Sequence, residues 1–331
     1  MSAIPETTLN GHATPRCDLC GGQGVLHILR TQRLDGPLLR CAACQLYFVP
    51  RPIPASHNGF HPPDQSAHLN GHRPHSEIAA ARVMESGHAA EEMQRLSTLA
   101  RELRLVQPEV EEQESPWRVL TARERINDLR RFRQAGRLLE IGSSTGDFLL
   151  EAAAAGFTAT GVEADRDSSA VAQSRGAQCF NGTLPDAGFA DHSLDVVVMY
   201  HVIEHLPSPR LALREIHRIL RPGGLLVMET PNIDNIWFRL LGHRWRQFIP
   251  DHIYFFTPAT MTRLCAQGEF EIRELRAAGK TMSLRLFLSR VGRYHRPLAG
   301  MLQKGSAALG LGDRTIRLNP GDVMRVYAER K

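Results

Sequence analysis

Four groups of residues in the 331-residue sequence have the types and spacing to do chemistry. The first is a pair of knuckles, Cys17-x-x-Cys20 and Cys41-x-x-Cys44. Two C-x-x-C pairs a hairpin's length apart set four thiolates tetrahedrally around one zinc. Four thiolates leave no open position for water, so this zinc is expected to be structural. Two disulfides or a redox motif are the alternatives; a cytosolic chain disfavours the former, and a redox C-x-x-C does not come paired before a short strand. The second group is a turn, Gly142–Gly146, with Glu140 before it and Asp147 after it. The third is His201-Val-Ile-Glu204-His205, and the fourth is the adjacent pair Asp251-His252.

The turn is positioned by a strand over 137–141 and a helix opening at Asp147 and closed by Gly156. Strand, small-residue turn and helix form the first unit of a doubly wound sheet, where ligands sit at the end of the turn. Gly142 and Gly146 permit positive φ and close backbone approach, and Ser144 or Thr145 can cap the helix. The G-x-G-x-x-G dinucleotide fingerprint is absent. Acids on both sides also disfavour a pyrophosphate at this helix start. They suit a ligand with a cationic portion, such as the amine and sulfonium of S-adenosylmethionine. A second strand, 158–163, ends in Glu163, about twenty residues past the turn, where a carboxylate can accept both ribose hydroxyls. Ala164 follows it; Asp165 is the fallback for that carboxylate, and the alternative for it, as for Asp167, is a helix-start acid. A third strand spans 177–181, with Thr183 and Leu184 in the turn after it. A β-branched fourth strand, 193–199, runs into Tyr200 and His201 at the cleft. Pro207 and Pro209 open a helix over 210–220. A fifth strand is expected over 225–230, a helix over 257–267, a sixth strand over 270–276 and a last strand over 322–329.

His201-x-x-Glu204-His205 formally matches a zinc-protease signature, which needs a long helix and a third ligand. Here it follows a strand at the cofactor cleft, so a protease is set aside. Spacing of i, i+3 and i+4 places the three on one helical face, able to hold a divalent metal or to form a buried structural pair. Asp251 beside His252 suits a general base whose basicity and tautomer the acid sets when the side chains meet.

The remaining chain frames these groups. Residues 51–75 are rich in Pro, Gly, Asn and His and read as a loop; His57, His61, His68, His72 and His75 lack any metal-binding spacing. From Ser76 to about Ala135 the pattern is helical, broken near Pro108 and Pro116, with Leu96, Leu99, Leu103 and Leu105 forming an apolar stripe. The insertion 232–257 is rich in aromatics; Trp237, Trp245, Phe248 and Tyr254 are candidates for a pocket wall or a lid core. Residues 283–311 are basic and amphipathic, reading as a packed surface helix in preference to peripheral membrane contact. Cys179 and Cys265 read as core residues. The formal net charge of +5 is spread along the chain and gives no reason to expect nucleic acid. There is no secretory signal and no membrane-spanning stretch, so a cytoplasmic location is the default expectation.

Taken in order, the acid–glycine turn, Glu163, Leu194–Val197, Ile203–His205, Leu220–Gly224 and Glu229–Asn232 resemble a class I S-adenosylmethionine-dependent methyltransferase. The subgroup resembled carries an N-terminal zinc ribbon and includes deoxysugar methyltransferases and enzymes of polysaccharide and natural-product clusters. The resemblance implies a seven-stranded, doubly wound α/β Rossmann-like sheet with its last strand antiparallel. The ribbon is expected over 12–52, a linker and helical segment over 53–135 and the methyltransferase domain over 136–331. It implies a cofactor site of Glu140, Gly142, Ser143, Ser144, Gly146, Glu163, Ala164, Thr183, Tyr200 and His201, with Ser144 where the middle glycine usually stands. Some quinone O-methyltransferases hold a divalent metal in a cluster comparable to 201–205. Asp251-His252 resembles the acid–His half of a Tyr-His-Glu-His motif in sugar C-methyltransferases, although Ile249 and Pro250 replace the Tyr-His half. His252 is the expected base, with Asp251 beside it and His205 and Glu204 as reserves. The expected partner is a small-molecule or carrier-linked acceptor, a sugar or glycan-pathway intermediate first. An RNA methyltransferase and a non-catalytic cofactor-binding scaffold are the alternatives.

Overall fold

The computed structural model describes residues 16–50, 108–292 and 296–331, with only the backbone for 108–116 and 280. The histidine-rich loop and the Leu96–Leu105 stripe lie outside the described residues.

Three short strands form the N-terminal ribbon: β1 (Val25–Leu29), β2 (Leu38–Cys41) and β3 (Tyr47–Phe48). Then come α1 (Pro108–Leu129), β4 (Gly136–Ile141), α2 (Asp147–Ala154), β5 (Phe157–Glu163), α3 (Arg166–Ser174), β6 (Cys179–Asn181), β7 (Leu194–Tyr200), α4 (Pro209–Ile219) and β8 (Leu220–Pro231). The C-terminal part holds α5 (Ile236–Leu241), β9 (Tyr254–Phe255), α6 (Pro258–Gln267), β10 (Phe270–Ala277), β11 (Lys280–Ser283), α7 (Leu284–Val291), α8 (Arg296–Ala308), β12 (Thr315–Leu318) and β13 (Val323–Arg330).

The central sheet runs β10-β13-β8-β7-β4-β5-β6. Only β13 is antiparallel to its neighbours. Strand order reverses at β4, which places a crevice at the carboxyl ends of β4 and β7. This is the expected seven-stranded, doubly wound Rossmann-like sheet with its last strand antiparallel.

Alternation of side chains along the strands divides the core. Leu138, Val196, Val198, Leu225 and Val227 face α1 and α2 through Ala122, Ile126, Leu129, Phe148 and Ala152. Leu139, Val197, Met199, Leu226 and Met228 face α4 and α6 through Leu213, Ile216, Met261 and Leu264. The ribbon joins this second face, where Leu19, Leu39, Leu46 and Phe48 share its core.

Helix α1 departs from the expected break near Pro116, because it continues through that proline to Leu129. A helix-interior proline loses one backbone bond. Burial of Ala122, Ile126 and Leu129 against the sheet offsets that loss.

The ribbon is also closed from a distance. Strand β9 pairs with β3, Tyr47 opposite Phe255 and Phe48 opposite Tyr254, and the Val49 amide donates to the Ile253 carbonyl at 2.8 Å. The first knuckle ties in as well: Asp18 accepts from the Ser208 hydroxyl at 2.7 Å and the Arg210 amide at 3.3 Å, at the start of α4. Trp245 and Phe248, candidates for a pocket wall, are instead fully buried with Leu34, Leu38, Val49 and Phe255. They form the lid core because ribbon leucines cover them. Trp237 is partly exposed, with its indole N–H donated to the Pro320 carbonyl.

Candidate active site

The glycine turn leaves β4 in a left-handed path. Gly142 has φ 74° and Gly146 φ 82°. A Cβ on Gly142 would stand 2.4 Å from a Val202 methyl, so the residue must be glycine on both counts. Ser144 is also left-handed, φ 47°, a conformation usually left to glycine. Two contacts hold it there. Its amide donates to Glu163 Oε2 at 2.7 Å, and its hydroxyl accepts from Arg118 at 2.8 Å. Glu163 Oε1 accepts from the Asp165 amide at 2.9 Å. The carboxylate ending β5 is thus fixed beside the turn, and each oxygen keeps a lone pair. Burial raises its pKa.

Glu140 is buried at the turn's entrance with Oε2 lacking any hydrogen-bond partner, and burial pushes its pKa well above the usual carboxylate value. A buried acid with an orphaned oxygen is a fitting neighbour for a cationic group. Asp147 pairs with Arg118 and Arg175 at 3.2 and 2.8 Å. The buried Ser143 hydroxyl lies 3.2 Å from Cys179 Sγ. Ala164 follows Glu163, and Thr183 bonds Asp186 through both its amide and its hydroxyl.

On the far side of the crevice the expected Tyr200 is joined by arginines that sequence reasoning missed. The Tyr200 ring is buried between Phe148 and the Arg125 guanidinium, which lies 3.9 Å above it. Arg125 pairs with Glu229 at 2.6 Å, and Arg325 joins Glu229 to Asp128. Arg118 and Arg125 sit eleven and four residues before the end of α1 by no recognisable motif. Their spacing of seven, two helical turns on one face, is the one signal that pairs them.

At the end of β7 the expectation of a helical face at 201–205 fails. His201 has φ 59° and 203–205 form a turn, so no helix passes through. Both His201 nitrogens face carboxylates: its Nδ1 lies 3.3 Å from Glu204 Oε1 and its Nε2 3.2 Å from Glu229 Oε1. Burial alone would lower the His201 pKa; the two carboxylates outweigh it and raise it to about 8.

The side chains that do converge are Glu204, His205 and His252. One donor atom from each lies within 4.8 Å of the others. The insertion is laced to this turn, since the amides of Ile253 and Tyr254 both donate to the Glu204 carbonyl. The rings of His205 and His252 meet edge to face, with centroids 4.7 Å apart. Glu204 is fully buried and accepts from the Thr230 hydroxyl at 3.0 Å. Burial would raise its pKa, but the His201 bond and the nearby imidazoles lower it to about 2. His252 is 4% exposed, with Nδ1 unpartnered, and burial followed by the His205 charge lowers its pKa to about 4.

Adjacency does not unite Asp251 with His252 as a hydrogen-bonded pair. Asp251 turns to His205 instead: its backbone carbonyl takes a bond from Nδ1 at 2.9 Å, and Oδ2 lies 3.6 Å away. With Nδ1 carrying the proton, Nε2 of His205 is the free acceptor.

In the ribbon, Cys17, Cys20, Cys41 and Cys44 place their sulfurs within 4.8 Å of one another. The nearest pairs are 3.4 and 3.5 Å apart. That is too long for a disulfide at about 2.0 Å, and close to the roughly 3.8 Å that tetrahedral zinc–sulfur bonds of about 2.3 Å imply. The cluster is compatible with a zinc ribbon.

Residues 113–275, just under half the chain, match the family model of a methyltransferase domain. Among curated relatives, the chain is 32% identical over 117 residues to a ubiquinone/menaquinone biosynthesis C-methyltransferase of Bradyrhizobium diazoefficiens, covering 30% of this chain and 46% of that protein. It is 27% identical over 153 residues to a ubiquinone biosynthesis O-methyltransferase of Aromatoleum aromaticum, covering 42% and 65%. The match thus spans about half of the first relative and just under two thirds of the second. A solved S-adenosylmethionine-dependent methyltransferase from Archaeoglobus fulgidus superposes with TM-score 0.47 at 17% identity, over 66% of this chain and 97% of that one. The matched segment contains the glycine turn, Glu163, the 201–205 turn and the Asp251-His252 insertion. Among the described residues no helix is long and apolar enough to cross a membrane.

Proposed function

We propose that the chain transfers a methyl group from S-adenosylmethionine to a small-molecule or carrier-linked acceptor, with a sugar or glycan-pathway intermediate as the first class to test. One observation carries this reading. The acid-flanked glycine turn has the Glu163 carboxylate locked beside it by the Ser144 amide, and the Glu204–His205–His252 cluster follows the neighbouring strand. Glu140, Gly142, Ser143, Ser144 and Gly146 would hold the methionine part, Glu163 and Ala164 the ribose, and Thr183 the adenine edge. Tyr200 and His201 would line the far wall. The four ribbon cysteines would hold a structural zinc.

When bound, S-adenosylmethionine would supply an electrophilic methyl to a lone pair of the acceptor, with the sulfur–carbon electron pair returning to sulfur. The chain's part is positioning and the acceptor's proton. The crevice aligns both partners, which provides much of the rate in such a displacement. The proton leaves on the cluster side. His252 is sealed and of low basicity, so the role expected of it passes to His205, whose side chain is 12% exposed and whose tautomer Asp251 fixes. The sugar class comes from the subgroup resemblance. The quinone methyltransferases among the relatives make a quinol the second acceptor to test.

The test is full-length protein with methyl-labelled S-adenosylmethionine and separate pools of nucleotide sugars, quinols and RNA. Label in the sugar pool, lost on Glu163→Ala, is expected. Label in RNA alone, or cofactor binding without transfer to any pool, contradicts the reading and favours the RNA or scaffold alternative respectively.

A further inference from the structure

The Glu204–His205–His252 cluster has features that hydrogen bonding within the chain does not use. Its three donor atoms converge within 4.8 Å, yet no hydrogen bond joins the three side chains to one another. Nδ1 of the His252 ring is buried with no partner in the protein. Each of the other two groups is oriented from behind. Thr230 donates to Glu204 Oε2 at 3.0 Å, and His201 stands 3.3 Å from Oε1. The Asp251 carbonyl takes the Nδ1 proton of His205 at 2.9 Å, which leaves Nε2 bare. Imidazoles and carboxylates fixed by outer hydrogen bonds, with lone pairs turned to a common point, are the pattern of metal ligands.

We propose that Glu204, His205 and His252 bind a divalent first-row transition-metal ion, separate from the ribbon zinc, at the acceptor side of the crevice. Two imidazoles and one carboxylate suit zinc, manganese or iron(II) and leave open positions for an exogenous oxygen. His201 is excluded, although sequence spacing groups it with Glu204 and His205, because its nitrogens face Glu204 Oε1 and Glu229 Oε1. His252 enters from the insertion, 47 residues beyond His205, which no local motif could reveal.

The proposal rests on the methyl-transfer reading and deepens it, with the ion taking over the activating role given above to His205 as base. The ion would bind the acceptor's hydroxyl oxygen and lower its pKa, so that the proton passes to water and the alkoxide or phenolate attacks. His205 then acts as a ligand, since one nitrogen cannot be both ligand and base. The acceptor class narrows to hydroxyl compounds, and those with a second oxygen on the adjacent carbon would chelate best.

The test loads full-length protein with Co²⁺ and counts ions per chain. Two equivalents are expected, one with intense sulfur-to-cobalt charge transfer from the ribbon and one without it. His252→Ala and Glu204→Gln should each weaken the second by tenfold or more and leave the first intact, and that first signal reports a folded ribbon. X-ray absorption of the second ion in wild-type protein should show imidazole scattering, which decides the matter even where a variant fails to fold. A single, thiolate-bound equivalent in protein that binds S-adenosylmethionine overturns the proposal, as does a second ion unchanged in both variants. Two ions in protein that fails to bind S-adenosylmethionine would leave the metal site standing and overturn the methyltransferase reading instead.

Discussion

Truncating Leu38 in the ribbon should disturb the acceptor side of the crevice and spare the cofactor side. Leu38 is fully buried in β2 and packs in one cluster with Val49, Trp245, Phe248 and Phe255. Beyond that cluster lie the β3–β9 pairing, the Val49 amide on Ile253 and the Ile253 and Tyr254 amides on the Glu204 carbonyl. A buried Leu→Ala change costs about 2–5 kcal/mol. If about 3 kcal/mol of that falls on local opening of the ribbon against the insertion, the Ile253–Phe255 amides should exchange roughly a hundredfold faster, at about 1.4 kcal/mol per decade. The cofactor turn is fastened elsewhere: the Gly142 amide donates to Val162 and the Ser144 amide to Glu163. Native-state hydrogen exchange with mass spectrometry should show the first set accelerated and the second unchanged, with S-adenosylmethionine affinity within about twofold of wild type. Equal acceleration at both sets would mean a global loss of stability, and unchanged exchange at Ile253–Phe255 would mean that the ribbon does not support the insertion. Either result refutes the coupling.

Three further outcomes are expected. Gly142→Ala adds a Cβ 2.4 Å from Val202 at φ 74°, so it should cost about 1–3 kcal/mol in thermal unfolding and abolish calorimetric cofactor binding. Burial alone would raise the Glu229 pKa, but Arg125, the His201 bond and Arg325 hold it well below the usual 4.5. A carboxylate depressed in the folded state contributes stability that is full above pH 4.5 and is lost as pH falls below it. Glu229→Gln should therefore flatten the acid limb of the stability–pH curve in urea titrations, and it should cost about 3–5 kcal/mol at neutral pH by stranding Arg125 and leaving Arg325 with Asp128 alone. Cys20→Ser should reduce zinc per chain by one equivalent, measured by atomic emission after desalting.

The sheet was legible because its signals are local. Leu194–Tyr200 is an unbroken apolar and β-branched run and is buried throughout. The glycines at 142 and 146 mark left-handed positions, and the cysteine spacing brought four sulfurs together. The site was half legible, for the same reason. Glu204, His205, Asp251 and His252 were all identified, but their pairing was not, because it depends on a two-residue strand that crosses to the ribbon. The left-handed φ at His201 ends any helix there, and no residue type announces it. Sequence left Trp245 and Phe248 open between pocket wall and lid core because their cover, Leu34 and Leu38, lies some two hundred residues earlier. The β11–β12 hairpin escaped notice because two helices separate its strands.

Calorimetric titration of full-length, zinc-loaded protein with S-adenosylmethionine, wild type beside Glu163→Ala, bears on the central claim most directly. Losing two hydroxyl bonds to a charged acceptor, each about 1.5–3 kcal/mol, predicts saturable one-to-one binding that weakens by a hundredfold or more in the variant. A folded wild-type protein that shows no saturable binding, or a variant that binds as tightly as wild type, would contradict it.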